Sequence, residues 1–132
     1  MDIEVSQEQG RRPVTVFHIK GEINITTYEQ LEQKAREVFN AGTRDLLLDL
    51  TEVTYISSAG IRALNNVFKL LRSDAPEESD EAMRKGLSDG TFKSPHLKLQ
   101  GPSPRVLEVL KIAGVDMLLQ IHQNRKDALA SF

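Results

Sequence analysis

The chain contains no cysteine and no tryptophan, and phenylalanine and tyrosine together supply only 5% of its 132 residues. Without cysteine there are no disulfides and no thiolate metal sites, which fits a cytoplasmic protein. With so few aromatics, any core must be built from leucine, isoleucine and valine. No apolar run approaches the roughly 18 residues that a membrane span needs. The first nine residues are polar and acidic, unlike the apolar centre of a secretory leader. An excess of positive charge is also lacking: the formal net charge is -2. A broad nucleic-acid footprint needs a basic face, and the composition supplies none.

What is present suits one α/β domain spanning 1–132. Ile3 and Val5 alternate with acidic residues as in a short strand. Gly10-Arg11-Arg12-Pro13 reads as a turn, and Val14–Lys20 is β-branched and aromatic, so a hairpin opens the fold. Gly21-Glu22-Ile23-Asn24 reads as a break, with Gly21 serving the chain reversal. Thr26 and Glu29 have capping-box spacing. Leu31, Ala35, Val38 and Phe39 then predict a helix over about 27–41. Leu46–Leu50 is nearly continuous apolar sequence, the pattern of a strand covered on both faces.

Ile61, Leu64, Val67, Phe68 and Leu71 predict a second helix over about 58–72. From Ser73 to Pro95 no period survives, and residues 73–89 hold six acidic residues against two basic ones. This segment reads as a mobile acidic loop. A strand follows at His96–Leu99, then a helix that starts at Ser103-Pro104 and ends at Gly114. Met117–Ile121 reads as an edge strand and Asn124–Phe132 as a terminal helix. The expected order is β-β-α-β-α-β-α-(β)-α: a mixed sheet of four to five strands with helices packed on it.

Chemistry concentrates between Asp49 and Leu64, where a buried strand turns into a helix that begins with Ser57 and Ser58. The first N–H groups of a helix lack intrahelical partners, and its dipole places positive charge there. A phosphate on either serine would meet ready donors and add about -1.5 to -2 charges. The same pattern also describes a serine that only caps the helix. Gly60, in the first helical turn, suggests close approach by another backbone or by a partner, or a simple packing need. His18, His96 and His122 lack metal-ligand spacing and read as structural or surface residues.

Asp49–Leu64 resembles the signature segment of STAS domains, the family of bacterial anti-sigma factor antagonists. Gly21-Glu22-Ile23-Asn24 resembles that family's second motif, a Gly-Glu-(Ile/Leu)-Asp turn before the first helix. The resemblance spans most of the chain apart from about 73–95. It implies that Ser58, two positions before Gly60, is the phosphoacceptor, with Ser57 a secondary candidate. Gly21, Glu22, Asn24, Ser57, Ala59, Gly60 and Arg62 fall at the implied partner-binding surface. Ser57 and Asn24 stand where the family usually has aspartates, which removes negative charge from that surface.

The implied cycle has an anti-sigma factor that is a serine kinase as partner and a metal-dependent phosphatase to reset the switch. ATP and metal belong to those partners, and the chain itself is expected to carry no cofactor and no enzyme activity. One alternative is a STAS module that is never phosphorylated and serves a transporter or a sensory scaffold. Another is an enzyme with Ser58 as nucleophile. Against it, Ile56 and Gly60 do not form a Gly-x-Ser-x-Gly elbow.

Overall fold

A computed structural model describes residues 1–73, 84–86 and 93–132. The elements in chain order are strands β1 (Asp2–Gln9) and β2 (Pro13–Ile23), helix α1 (Tyr28–Asn40), strand β3 (Leu46–Ile56) and helix α2 (Ser58–Arg72). Strand β4 (Leu97–Gln100), helix α3 (Pro104–Ile112), a 3-10 turn at Val115–Met117, strand β5 (Gln120–His122) and helix α4 (Arg125–Ala130) follow. Most of the expected acidic loop, about 73–95, lies outside the described residues; within it, 84–86 are helical.

The five strands form one mixed sheet in the order β1-β2-β3-β4-β5. The β1–β2 hairpin is antiparallel and every other pairing is parallel. Side chains alternate across each strand, so the leucine run of β3 serves both faces. Leu46, Leu48 and Leu50 face one core with Phe17, Ile19, Leu97 and Leu99. Helices α1 and α2 close that core with Leu31, Ala35, Leu64, Val67 and Leu71, and α3 adds Val106 and Leu110. Leu47 points the other way, to a small cluster of Val14 and Val16 under Ala128 and Phe132.

Two strands run further than their sequence pattern suggests. Strand β2 continues through Gly21-Glu22-Ile23, and β3 continues from Leu50 to Ile56. In β3 the cause is a pair of register shifts against β2, between His18 and Lys20 and between Gly21 and Glu22, each of which gives β3 one extra residue. Each extra residue breaks the two-residue alternation of β3, whereas β2 alternates without a break from Ile19 to Ile23, and there it is the glycine at 21 that suggests a turn. Gly21 therefore lies inside β2 at φ +100, next to one of these shifts, rather than in a chain reversal. Positive φ at an irregularity of this kind is where glycine is favoured.

The capping box expected at Thr26 and Glu29 does not form. Thr27 is the cap residue of α1 and makes no side-chain cap bond. The Thr26 hydroxyl donates to Asn24 Oδ1 (2.7 Å) and the Thr27 hydroxyl to the Glu22 carbonyl (2.9 Å). The turn thus uses both hydroxyls that could have capped the helix. At α3 the expected start holds: Ser103 Oγ accepts from the Val106 N–H (3.2 Å), with Pro104 opening the helix. The last strand is shorter and later than Met117–Ile121, because Gly114 (φ +78) leads into the 3-10 turn first.

Candidate functional site at the carboxyl ends of β2 and β3

Strands β2 and β3 are parallel, so their carboxyl ends emerge together, with Glu22 beside Tyr55 and Ile23 beside Ile56. In open α/β sheets this is the end where binding sites collect. Two sequence motifs meet there: the Gly21–Asn24 turn and the Ser57–Ser58 start of α2. The link is direct, since the Ser57 N–H donates to the Ile23 carbonyl at 2.9 Å.

The two serines have different environments. Ser57 has extended backbone angles (φ -93, ψ 177), and its Oγ accepts from the Gly60 N–H at 3.4 Å. Its carbonyl accepts from the Ile61 N–H at 2.9 Å. Ser57 is thus the cap of α2, half-buried and bonded through amide, carbonyl and hydroxyl. Ser58 is the first residue of the helix and is exposed; its hydroxyl makes no hydrogen bond among the described residues. Arg62 is exposed one helical turn further on, on the same face.

Gly60 is buried because the helix start lies almost on β2. A Cβ at this position would come within 2.6 Å of both the Ile23 carbonyl oxygen and Ile56 Cγ1. Of the alternatives open in the sequence, close approach by another backbone is the one seen. Ala59 beside it is also buried, at 6% exposure.

Asn24 organises its own turn. Its Oδ1 accepts from the Thr26 N–H (2.9 Å) as well as the Thr26 hydroxyl. Its Nδ2 donates to Glu22 Oε2 (3.2 Å), and its carbonyl accepts from the Thr27 and Tyr28 amides. An asparagine that bonds its own following backbone shapes a turn in this way.

Ser58 also lies at the junction of two apolar depressions. One, of about 320 Å³, runs between α2 and the Ala113–Leu119 segment, over Ile61, Leu64, Phe68, Val115 and Leu118. The other, of about 280 Å³, lies between Ser58, Ile61, Val109 and Ile112. Ile112 is 80% exposed at its edge. Sequence reasoning did not find this surface. An isoleucine on the polar side of α3 was its one sequence signal, and the walls come from segments some fifty residues apart.

A second polar assembly, also unforeseen, occupies the opposite face of the sheet. Asp49, with its side chain 3% exposed, accepts from Arg125 Nη2 (2.7 Å), the Thr51 N–H (3.0 Å) and the Thr51 hydroxyl (2.8 Å). His18 bridges Asp49 (2.7 Å) and Glu52 (2.5 Å) through its two ring nitrogens. Arg125 also donates to Gln100 Oε1 at 2.8 Å, which pins α4 across β3 and β4. Hydrogen bonds to Glu52 and then Asp49 raise the His18 pKa above its ordinary value, against a smaller effect of burial. Burial pushes the Asp49 carboxyl up, but the bonds from Thr51, His18 and Arg125 outweigh it and hold the pKa below the usual value.

The other histidines also engage polar side chains. His96 Nδ1 lies 2.9 Å from Asp45, and His122 Nε2 lies 2.9 Å from Gln120. Among the described residues, no group of three or more histidine or acidic side chains is arranged to hold a metal ion. No helix of the described chain is long and apolar enough to cross a membrane.

A mixed five-stranded sheet, with a turn and a helix start meeting at one end of its parallel strands, defines an α/β domain with its candidate site at that end. The STAS domain model matches residues 5–75, and the chain belongs to the STAS domain family. A relative in Bordetella bronchiseptica, BtrV, whose name makes it a candidate anti-sigma factor antagonist, is 31% identical over 86% of this chain and 82% of its own. Among solved structures, an anti-sigma factor antagonist from Mycobacterium paratuberculosis aligns with a TM-score of 0.69 at 20% identity, covering 98% of this chain and 93% of that one. SpoIIAA, an anti-sigma factor antagonist in its unphosphorylated form, aligns at 0.65 and 17% identity, covering 95% and 92%. At these identities, the solved structures speak to the fold.

Proposed function

We propose that this chain is an anti-sigma factor antagonist that binds a serine kinase acting as anti-sigma factor, and that phosphorylation of Ser58 switches the binding. The observation that carries the reading is the contrast between the serines: the Ser57 hydroxyl caps α2, while the Ser58 hydroxyl is exposed and unbonded among the described residues. A kinase needs an accessible hydroxyl, and Ser58 offers one.

In the transfer, Ser58 Oγ forms the new bond to the γ-phosphorus of ATP, ADP leaves, and the hydroxyl proton passes to a base of the kinase. The added charge of about -1.5 to -2 lies beside the positive end of α2, on the surface that meets the partner. A metal-dependent serine phosphatase returns Ser58 to its free hydroxyl. ATP and metal are the partners' own, and this chain acts in the cytoplasm without a cofactor. Gly21, Glu22, Asn24, Ser57, Ala59, Gly60 and Arg62 frame the contact surface. Of these, Ala59 and Gly60 act from beneath, by holding the helix start against Ile23.

A second reading has a specific observation behind it. The two residues at the family's usual aspartate positions, Ser57 and Asn24, are both engaged in local structure. A module with those positions given over to structure could serve a transporter or scaffold without being phosphorylated. Phosphosite mapping by mass spectrometry on protein purified from its native cells, with co-purifying partners identified, separates the readings. Phosphate on Ser58 and a serine kinase among the partners support the switch. Phosphate on Ser57 would move it, and an unmodified pair found with transporter or scaffold subunits would replace it with the second reading.

A further inference from the structure

The groove beside Ser58 is apolar along its floor, and of the described residues that line it only Arg62 carries a charge. Arg62 is exposed and makes no ion pair or hydrogen bond among the described residues. Helix α2 contains no acidic residue, and on the neighbouring α1 Glu29 and Glu32 act with Arg62 on Tyr28 but form no ion pair with that arginine. Asp116, the nearest acid in the opposite wall's sequence, lines a separate depression. An apolar slot whose one lining charge is a cation without an ion-pair partner among the described residues complements a segment that is apolar with a carboxylate beside it.

We propose that the groove receives a segment of the partner protein that inserts an apolar side chain over Ile61, Phe68 and Val115 and pairs a carboxylate with Arg62. Phosphate on Ser58 releases this segment by taking Arg62 for itself. Ser58 and Arg62 are four residues apart on one helix, the spacing at which side chains pair. Phosphorylation then acts twice at one place, removing the partner's cation and adding a like charge against the partner's carboxylate. This inference rests on the reading of the chain as a Ser58-switched antagonist and specifies the chemistry of what it binds.

The test is an NMR titration of the ¹⁵N-labelled chain with a synthetic amphipathic peptide whose leucine face is flanked by glutamates, and with the same peptide carrying lysines instead. The glutamate peptide is expected to shift the amides of Ile61, Arg62, Phe68 and Val115. It should bind roughly threefold to tenfold more tightly than the lysine peptide, the range expected when one exposed ion pair becomes a like-charge contact. Arg62→Glu should invert the preference while leaving the rest of the amide spectrum in place. Phosphoserine incorporated at position 58 should abolish the preference.

Equal binding of both peptides, shifts confined to another face, or no response to either overturns the proposal. A response to dodecanoate with none to the peptides also overturns it, and assigns the groove to an amphiphile. The phosphosite map is independent of these outcomes. A chain never phosphorylated that still prefers the glutamate peptide keeps the docking half of the proposal and loses the switch. A chain phosphorylated on Ser58 that ignores the peptide does the reverse.

Discussion

Replacing Gly60 with alanine adds one methyl group where the structure has no room for it. The new Cβ would lie 2.6 Å from the Ile23 carbonyl oxygen, 2.6 Å from Ile56 Cγ1 and 3.0 Å from Ile23 Cγ2. The first of these is backbone in a paired strand, and Ile23 and Ile56 are both buried, at 0% and 1% exposure. None of the three can swing aside, so α2 must lift. Overpacking of this kind costs about 1–3 kcal/mol. Lifting the helix also stretches the bond from the Ser57 N–H to the Ile23 carbonyl, worth about 0.5–1.5 kcal/mol. Against this, alanine gains at most about 1 kcal/mol of helix propensity over glycine. The expected net loss is about 2 kcal/mol, or a fall in melting temperature of roughly 6–10 °C for a domain of this size. Urea denaturation followed by circular dichroism measures it. A Gly60→Ala chain as stable as the parent, or more so, would refute the claim that close backbone approach dictates this glycine.

Other changes separate the remaining interactions. Ser57→Ala removes the cap of α2; because its bond to Gly60 is long, the expected loss is about 0.5–1 kcal/mol, at the low end for a helix cap, and Ser58→Ala in the same denaturation series should change stability by less. Arg125→Ala takes away one of the two 2.7 Å contacts to the buried Asp49 and unpins α4, with an expected loss of about 1–2 kcal/mol by denaturant midpoint; an unchanged midpoint would mean that His18 and Thr51 alone satisfy the carboxylate. His18 has a native pKa raised above its unfolded value, so its contribution is full below about pH 6.5 and is lost as the pH rises through the native value. The stability gap between the parent chain and His18→Gln should therefore narrow from mildly acidic toward alkaline pH. It should also narrow in strong acid, as Asp49 and Glu52, both held below their usual values, take up protons. A gap that stays constant from about pH 5 to 9 contradicts the bridge.

The element order could be read from the chain because it is set by local periodicity. Helix α2 has apolar residues at helical spacing over Ile61–Leu71 and ends where that spacing ends. The leucine run of β3 announced a strand with both faces covered, and Leu47 turning away from Leu46 and Leu48 is that prediction realised. Local chemistry failed where the fold outbid it. The hydroxyls of Thr26 and Thr27 serve the Asn24 turn rather than the helix, and the register shifts against β2 hid the second half of β3.

By itself the sequence determined that a buried strand feeds a helix through two adjacent serines, because strand pattern, cap chemistry and helix period are all short-range. It could not say which serine caps, since both hydroxyls stand at a helix start and only the backbone angles at Ser57 aim one of them at the Gly60 N–H. Tertiary structure alone brought Arg125 to Asp49 across 76 positions and set the Ala113–Leu119 segment against α2 to make the groove. Those contacts depend on how the strands are ordered and how the helices cross them. That is decided by burial of the whole chain's apolar surface, which no local window contains.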